Sequence, residues 1–178
     1  MSSRQDQVRE LLGGIDSRFL DAKDIEEKRN LLKILINEGI SSEILKKITF
    51  TAGQVSRYDS SKHYYYQLFI DAVEELAKRN ETPILTDVIN TFGHNYPLES
   101  AINTILNEGT TQQIIDIAQY YWEQWSDPGE YGGGEKILKL FGAIRKALLK
   151  RKISDEKYLS PEAIERIKDL EQRYSFLK

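Results

Sequence analysis

The sequence predicts an all-α protein, a bundle of about eight or nine helices. Along most of the chain, apolar residues recur at the three- and four-residue spacing of amphipathic helices. No sustained alternation of apolar and polar residues is present, and the Ile-Thr-Phe-Thr run at 48–51 is too short to support a sheet. The tripeptide Asn-Glu-Gly occurs at 37–39 and again at 107–109, which predicts two helices that each end at a glycine.

The first half of the chain contains five predicted helices. The first covers 4–12 and ends at Gly13-Gly14. The next three begin at an acidic cap over 21–24, at Ser41 or Ser42, and after the polar break at 58–61. The fourth has the clearest apolar stripe, formed by Tyr65, Leu68, Phe69, Ala72, Val73, Leu76 and Ala77. The fifth is predicted to have Thr82 as its cap and Pro83 as its first helical residue.

The second half repeats this order of elements. Its predicted boundaries are a start at Tyr96-Pro97, a stop at Gly109, a start at Thr110 or Thr111, a glycine-rich loop over 126–134, a long helix, and a start at Ser160-Pro161. Matching tripeptides arise by chance, and glycine stops followed by hydroxyl caps join many helix pairs. The common order and spacing of four elements are what predict a duplicated, repeat-like unit.

The predicted domain organisation follows from that repeat. We expect an N-terminal helix over 1–23, a first helical unit over 24–93 and a second over 94–178, packed together as one compact domain. At 178 residues the chain is long enough to build one substantial core.

Composition excludes several classes of function. The chain has no cysteine, so disulfides, thiolate nucleophiles and cysteine-ligated zinc are all excluded. The first residues contain no apolar stretch of signal-peptide type, and no window approaches the ~20 apolar residues of a membrane-spanning helix. We therefore expect a soluble, cytoplasmic protein without membrane insertion.

Charge is strongly segregated along the chain. Residues 80–135 contain nine acidic side chains and no lysine or arginine, whereas residues 136–178 contain twelve basic and six acidic side chains. Two interpretations stay open. Neighbouring helices of opposite charge complement each other within the fold, or the surface is bipolar and steers a partner or stacks molecules head to tail.

Little in the sequence suggests catalysis. His63 and His94 are the only histidines, and neither lies in a recognisable motif. No Glu-x-x-His pair of the kind that binds metal in helical bundles occurs. The glycine-rich 131–136 segment precedes a helix but lacks the Gly-Lys-Ser/Thr of a phosphate loop. We predict no catalytic, metal or cofactor site and no enzyme activity.

Clustered aromatics suggest a surface for binding another protein. Three successive aromatics on a helix point around most of its circumference, so one core cannot bury them all. Tyr and Trp are also the residues that most often anchor protein interfaces. Tyr65 and Tyr121 belong to apolar stripes that we expect in the core. For the remaining aromatics, the alternative is that they pack between helices with their polar ends in contact with water. The predicted partner-binding residues are Tyr64, Tyr66, Tyr120, Trp122, Trp125 and Tyr131.

The leading functional hypothesis is therefore a non-catalytic interaction module: an adaptor, assembly factor or regulator that binds another protein or a second copy through these aromatics and the acidic 80–135 face. One alternative is a nucleic-acid-associated regulator that uses the basic helix 145–152 to neutralise phosphates. Basic residues near a helix C-terminus also stabilise its dipole without any ligand. A further alternative is a small-ligand carrier or enzyme with a pocket between the two units. The candidate nucleic-acid-binding residues are Arg145, Lys146, Lys150, Arg151 and Lys152.

Overall fold

A computed structural model describes the chain over residues 4–15, 22–58, 63–93, 98–124 and 134–173. Those residues contain nine α-helices and no strand, which confirms the predicted fold class. In chain order, the helices are α1 (Arg4–Ile15), α2 (Ala22–Asn37), α3 (Ser42–Tyr58), α4 (His63–Lys78), α5 (Thr82–Phe92), α6 (Glu99–Glu108), α7 (Thr111–Gln124), α8 (Gly134–Lys150) and α9 (Pro161–Arg173), with a 3₁₀ turn at Asp155–Lys157 between the last two. The predicted start at Tyr96-Pro97 and most of the 126–134 loop lie outside the described residues.

The helices pack mainly against their neighbours in the chain. Within the described part of the protein, each extensive helix–helix contact joins consecutive helices or helices two apart: α3 packs along α4, α7 along α8, and α5 lies against both α6 and α7. This pattern is typical of stacked helical hairpins, and it orders the helices from α1–α3 at one end to α7–α8 at the other. Because α4 also packs against α6, contacts cross the boundary predicted at residue 93.

An aromatic cluster joins α3, α4 and α5. The Phe92 ring lies edge-on to Phe50 and to Phe69, with centroid separations of 5.4 and 5.3 Å. Gly53 of α3 faces this cluster, and a Cβ built on Gly53 would lie 2.9 Å from Phe92 Cζ and 3.0 Å from Phe69 Cδ2. The absence of a side chain at Gly53 therefore lets α3 approach the two rings closely.

The two Asn-Glu-Gly segments end their helices differently. Gly39 has φ 73°, and the Ile40 N–H donates to the Leu35 carbonyl at 3.1 Å, so α2 ends in a left-handed cap. Gly109 is extended, with φ −71° and ψ 159°, and its N–H donates to the Ile105 carbonyl at 2.9 Å. The same tripeptide therefore ends its helix with a different backbone conformation in each half.

The helix starts that follow these glycines agree with prediction. The Ser41 hydroxyl accepts the Ile44 N–H at 3.4 Å, and the Thr110 hydroxyl accepts the Gln113 N–H at 3.2 Å. The Gln113 side-chain oxygen accepts the Thr110 N–H in return at 2.8 Å, which completes a capping box. The helices therefore begin one residue later, at Ser42 and Thr111.

A closer correspondence lies at the ends of α4 and α8. Asn80 and Lys152 both have positive φ, at 56° and 61°. Just before them, Arg79 Nη1 donates to the Ile40 carbonyl at 2.6 Å and Arg151 Nη1 donates to the Gly109 carbonyl at 2.8 Å. In each half, an arginine just after the long helix thus donates to a backbone carbonyl at the glycine stop, that of the next residue in the first half and that of the glycine itself in the second. The duplication itself stays a prediction, and this pair is the strongest observation in its favour.

Two predicted boundaries were wrong. Helix α1 continues through Gly13 and ends at Ile15, since Gly within a helix costs only about 1 kcal/mol relative to Ala. At α5 the cap is Glu81, and Thr82 is already helical. The Glu81 N–H closes the C-terminal turn of α4 by donating to the Leu76 carbonyl at 3.1 Å, so Glu81 both completes that turn and caps α5. At α9 the prediction holds, because the Ser160 hydroxyl accepts the Ala163 N–H at 3.2 Å.

Candidate interaction surfaces

Three of the six predicted partner-binding aromatics have described side chains. Trp125 and Tyr131 lie outside the described residues, and Tyr64 belongs to α4 without a described side chain. Tyr66, Tyr120 and Trp122 are each half-buried and pack against the core.

Each of these three rings rests on another aromatic ring. The centroid of Tyr66 lies 6.5 Å from that of Phe69, and Trp122 lies tilted at 5.7 Å from Phe141 of α8. Tyr120 lies edge-on to Tyr121 at 5.3 Å. Such pairs stabilise a fold by about 0.5–1.5 kcal/mol beyond their buried area. Packing inside the molecule therefore covers part of each ring.

The Tyr120–Tyr121 pair also closes the end of α5. A Cβ on Gly93 would lie 2.9 Å from Tyr120 Cε1 and 3.1 Å from the Tyr121 hydroxyl oxygen. Burial, followed by the neighbouring Tyr120 hydroxyl, raises the pKa of Tyr121 well above its usual range. Its phenol therefore stays neutral at physiological pH.

The described acidic residues of the 80–135 segment include two that bond to α3 and an outward group of three. Glu81 accepts a hydrogen bond from the Ser42 hydroxyl, and Asp87 forms an ion pair with Lys46 at 2.6 Å, so both connect α5 to α3. The outward group comprises Glu99 and Glu108 of α6 and Glu123 of α7, which are exposed and form no ion pair within the described residues.

The basic helix divides in the same way. Arg145 is paired with Asp155 of the 3₁₀ turn, with Nε and Oδ2 3.0 Å apart, and Arg151 holds the Gly109 carbonyl. Burial alone would raise the pKa of Asp155, but hydrogen bonds from Arg145 and Tyr158 outweigh it and lower that pKa. Two of the five candidate nucleic-acid-binding residues are thus engaged within the fold.

The exposed residues of α8 form one continuous face, called here the outer face of α8. It comprises Lys139, Gly142, Ala143, Lys146, Leu149 and Lys150, all of them exposed. Their spacing places them along one side of the helix over about 17 Å. Leu149 is 55% exposed and stands between two lysines. The sequence contained this signal, because Leu149 falls outside the apolar stripe that includes Ile144 and Leu148.

A second open surface lies at the other end of the helix series. A groove of about 340 Å³ separates α1 from α2, and its lining residues are Glu10, Asp24, Glu27, Lys28, Asn30, Leu31 and Ile34. Ile34 is 48% exposed. Lys28 Nζ donates to the Glu10 carbonyl at 2.8 Å and so connects the two helices across this α1–α2 groove. Sequence analysis did not identify this groove, because its walls come from two helices.

Chemistry-bearing residues do not come together in the described parts of the chain. No group of His, Asp or Glu there could hold a metal ion. A second groove, of about 580 Å³, lies against Val8 and Ile44, again at the α1–α3 end and not between the two predicted units. The side chains of His63 and His94 are outside the described residues.

None of the described helices is both long and apolar enough to cross a lipid bilayer. Comparison of the chain with protein families, with curated proteins and with solved structures finds no match.

Proposed function

We propose that the protein is a non-catalytic interaction module that binds another protein chain, or a second copy of itself, through the outer face of α8. The observation that supports this proposal is Leu149, a large apolar side chain that is 55% exposed near the C-terminal end of that face. An exposed apolar side chain loses contact with water when a partner covers it, which favours association.

The residues around Leu149 favour a helical or extended partner. Gly142 has no side chain and Ala143 has only a methyl group, and no heavy atom would lie within 4 Å of a Cβ added to Gly142. A partner backbone can therefore approach α8 closely at this position. Lys139, Lys146 and Lys150 surround the small and apolar positions, so the chemistry of the face selects an acidic partner surface.

The predicted aromatic surface has a smaller role in this proposal. Tyr66, Tyr120 and Trp122 have part of each ring packed against the core, so a partner covers less new apolar area there. Of the three, Trp122 contacts Phe141 of α8 and lies beside the helix that presents Leu149. A contact that includes Trp122 would extend the outer face of α8 toward α7.

Affinity capture with matched variants tests this proposal. The tagged protein is used to capture partners from cells that produce it, alongside Leu149→Gln and a control, Ile34→Gln, which removes the other large apolar side chain that is exposed among the described residues. We expect Leu149→Gln to reduce the capture of a stoichiometric partner of different sequence by at least tenfold and Ile34→Gln to retain it. Equal capture of that partner by all three proteins would exclude the outer face of α8 as its binding surface.

A nucleic-acid role remains the second candidate, because Lys146, Lys150 and Lys152 are exposed and form no ion pair within the described residues. This candidate function requires that the protein bind DNA or RNA with an affinity that falls steeply as the salt concentration rises. The appropriate variant is Lys146→Glu with Lys150→Glu, since changing Arg151 would also release the Gly109 carbonyl. Binding that survives this double substitution would exclude phosphate contacts by α8.

A further inference from the structure

Two exposed apolar side chains stand out at opposite ends of the helix series. Among the described residues, Ile34 and Leu149 are the large hydrophobic residues that are exposed, at 48% and 55%. Ile34 is on α2 and Leu149 is on α8, and these two helices share none of the extensive contacts. One molecule therefore presents two separate apolar positions, one near each end of the stack.

The charges around these two positions have opposite signs. Leu149 lies between Lys146 and Lys150 on the outer face of α8. Ile34 lies in the α1–α2 groove, where Glu10, Asp24 and Glu27 supply three carboxylates.

The bases near the groove reduce this acidity without cancelling it. Lys28 lines the groove but donates to the backbone carbonyl of Glu10 at 2.8 Å, which fixes its ammonium group between α1 and α2. Lys23 lies 4.0 Å from Glu27, with both side chains well exposed, and an ion pair of this kind contributes little. Lys33, next to Ile34, is exposed but is not part of the groove lining.

We propose that copies of this protein associate head to tail, with Leu149 and its flanking lysines on one copy entering the α1–α2 groove of the next. This inference rests on the proposed function, since it names a second copy as the partner of the outer face of α8. A second copy fits the groove because every chain supplies one apolar position surrounded by lysines and one surrounded by carboxylates, and these charges are complementary.

The arrangement determines which assemblies form. A contact between two different surfaces of the same chain leaves one free surface at each end, so dimers add further copies and form an open series or a ring. A symmetric pairing of α8 with α8 would instead place the lysines of the two copies against each other, and like charges disfavour that arrangement. Because exposed charges are screened by salt, the association weakens as ionic strength rises.

Sedimentation velocity over a range of concentrations tests the inference on the 178-residue chain. The wild-type chain is expected to show concentration-dependent species larger than a monomer, which high salt reduces. Two variants remove one surface each: a face variant, Lys146→Glu with Lys150→Glu, and a groove variant, Glu10→Lys with Glu27→Lys. Each variant alone should sediment as a monomer, because each has lost one half of the contact.

Mixing the two variants distinguishes head-to-tail association from any other. The face variant retains an intact groove, the groove variant retains an intact α8 face, and the two charge-reversed surfaces are complementary to each other, so the mixture should associate although each variant alone does not. A mixture that stays monomeric overturns the proposal, as does a wild-type chain that is monomeric at every concentration. Leu149→Gln, which changes an exposed residue and leaves the net charge unchanged, should also abolish self-association. Circular dichroism of each variant checks that its helices are intact.

The outcome separates this inference from the proposed function. If the wild-type chain is monomeric but Leu149→Gln loses a captured protein of another kind, the self-association inference fails and the proposed function stands. If the chain is monomeric and capture does not depend on Leu149, both fail. Self-association that both double variants retain would show that copies meet through other surfaces.

Discussion

Replacing Gly53 by alanine tests how closely α3 packs on the aromatic cluster. In a helix, Gly→Ala stabilises by about 1 kcal/mol through intrinsic propensity alone. At this position the new Cβ would lie 2.9 Å from Phe92 Cζ and 3.0 Å from Phe69 Cδ2. Carbon atoms are in favourable contact at about 3.5–4.0 Å, so the rings or α3 must shift by roughly 0.6 Å. Such overpacking typically costs about 1–3 kcal/mol.

The expected net effect of Gly53→Ala is a destabilisation of about 1 kcal/mol, because overpacking exceeds the propensity gain. The matched control is Gly142→Ala in α8, where the added Cβ would have no heavy atom within 4 Å. Gly142→Ala should stabilise by about 0.5–1 kcal/mol. The same chemical change in two helices thus has opposite signs.

Urea unfolding at neutral pH measures the change in the free energy of unfolding for both variants. The comparison is valid if the variants and the wild type have equal m-values. In a chain of this size, about 1 kcal/mol corresponds to roughly 2–4 °C in Tm. A third variant, Gly53→Ala combined with Phe92→Leu, should lose part of the Gly53→Ala penalty, because the smaller side chain makes room for the Cβ. If Gly53→Ala stabilises as much as Gly142→Ala, the close packing of α3 on the two phenylalanine rings is refuted.

Further predictions concern the arginine contacts and the helix caps. Arg151→Met should destabilise the folded protein by about 1–3 kcal/mol in urea unfolding, because it leaves the Gly109 carbonyl without its charged donor. The control Lys150→Met should change the stability little. Equal effects of the two substitutions would contradict the contact between Arg151 and Gly109. Asp155→Asn should destabilise at neutral pH. Because the folded-state pKa of Asp155 is lowered, the stability from its charged form is present above about pH 4 and is lost as pH falls through the folded-state pKa, so the difference between wild type and variant should shrink in unfolding curves below pH ~4. Thr110→Ala should cost about 1 kcal/mol by removal of the capping box; no change in the unfolding midpoint would contradict it.

Local patterns predicted the helices well because helix signals are local. Residues three and four apart lie on one face, so the stripe that includes Tyr65, Leu68 and Phe69 identified α4, and those side chains are buried. The caps at Ser41, Thr110 and Ser160 were equally predictable, since a hydroxyl three residues before a free N–H is a local contact. At Glu81 the prediction failed, because the end of α4 determined where α5 begins.

The side-chain roles were harder to predict, because they depend on residues distant in the chain. In the sequence, Arg145 and Arg151 resemble free basic residues. In the structure, Arg145 pairs with Asp155 and Arg151 donates to the Gly109 carbonyl. The half-buried state of Trp122 likewise depends on Phe141 of the next helix.

The sequence by itself determined that this chain is helical, where most of its helices begin and end, and that it lacks cysteine chemistry, because each of these is a property of composition or of neighbouring residues. Only the tertiary structure decided which charges face inward, that Gly39 and Gly109 end their helices differently, and that Ile34 and Leu149 are left exposed at separate ends. The physical reason is that burial and pairing depend on which helices meet, and the period of one helix does not specify its neighbours.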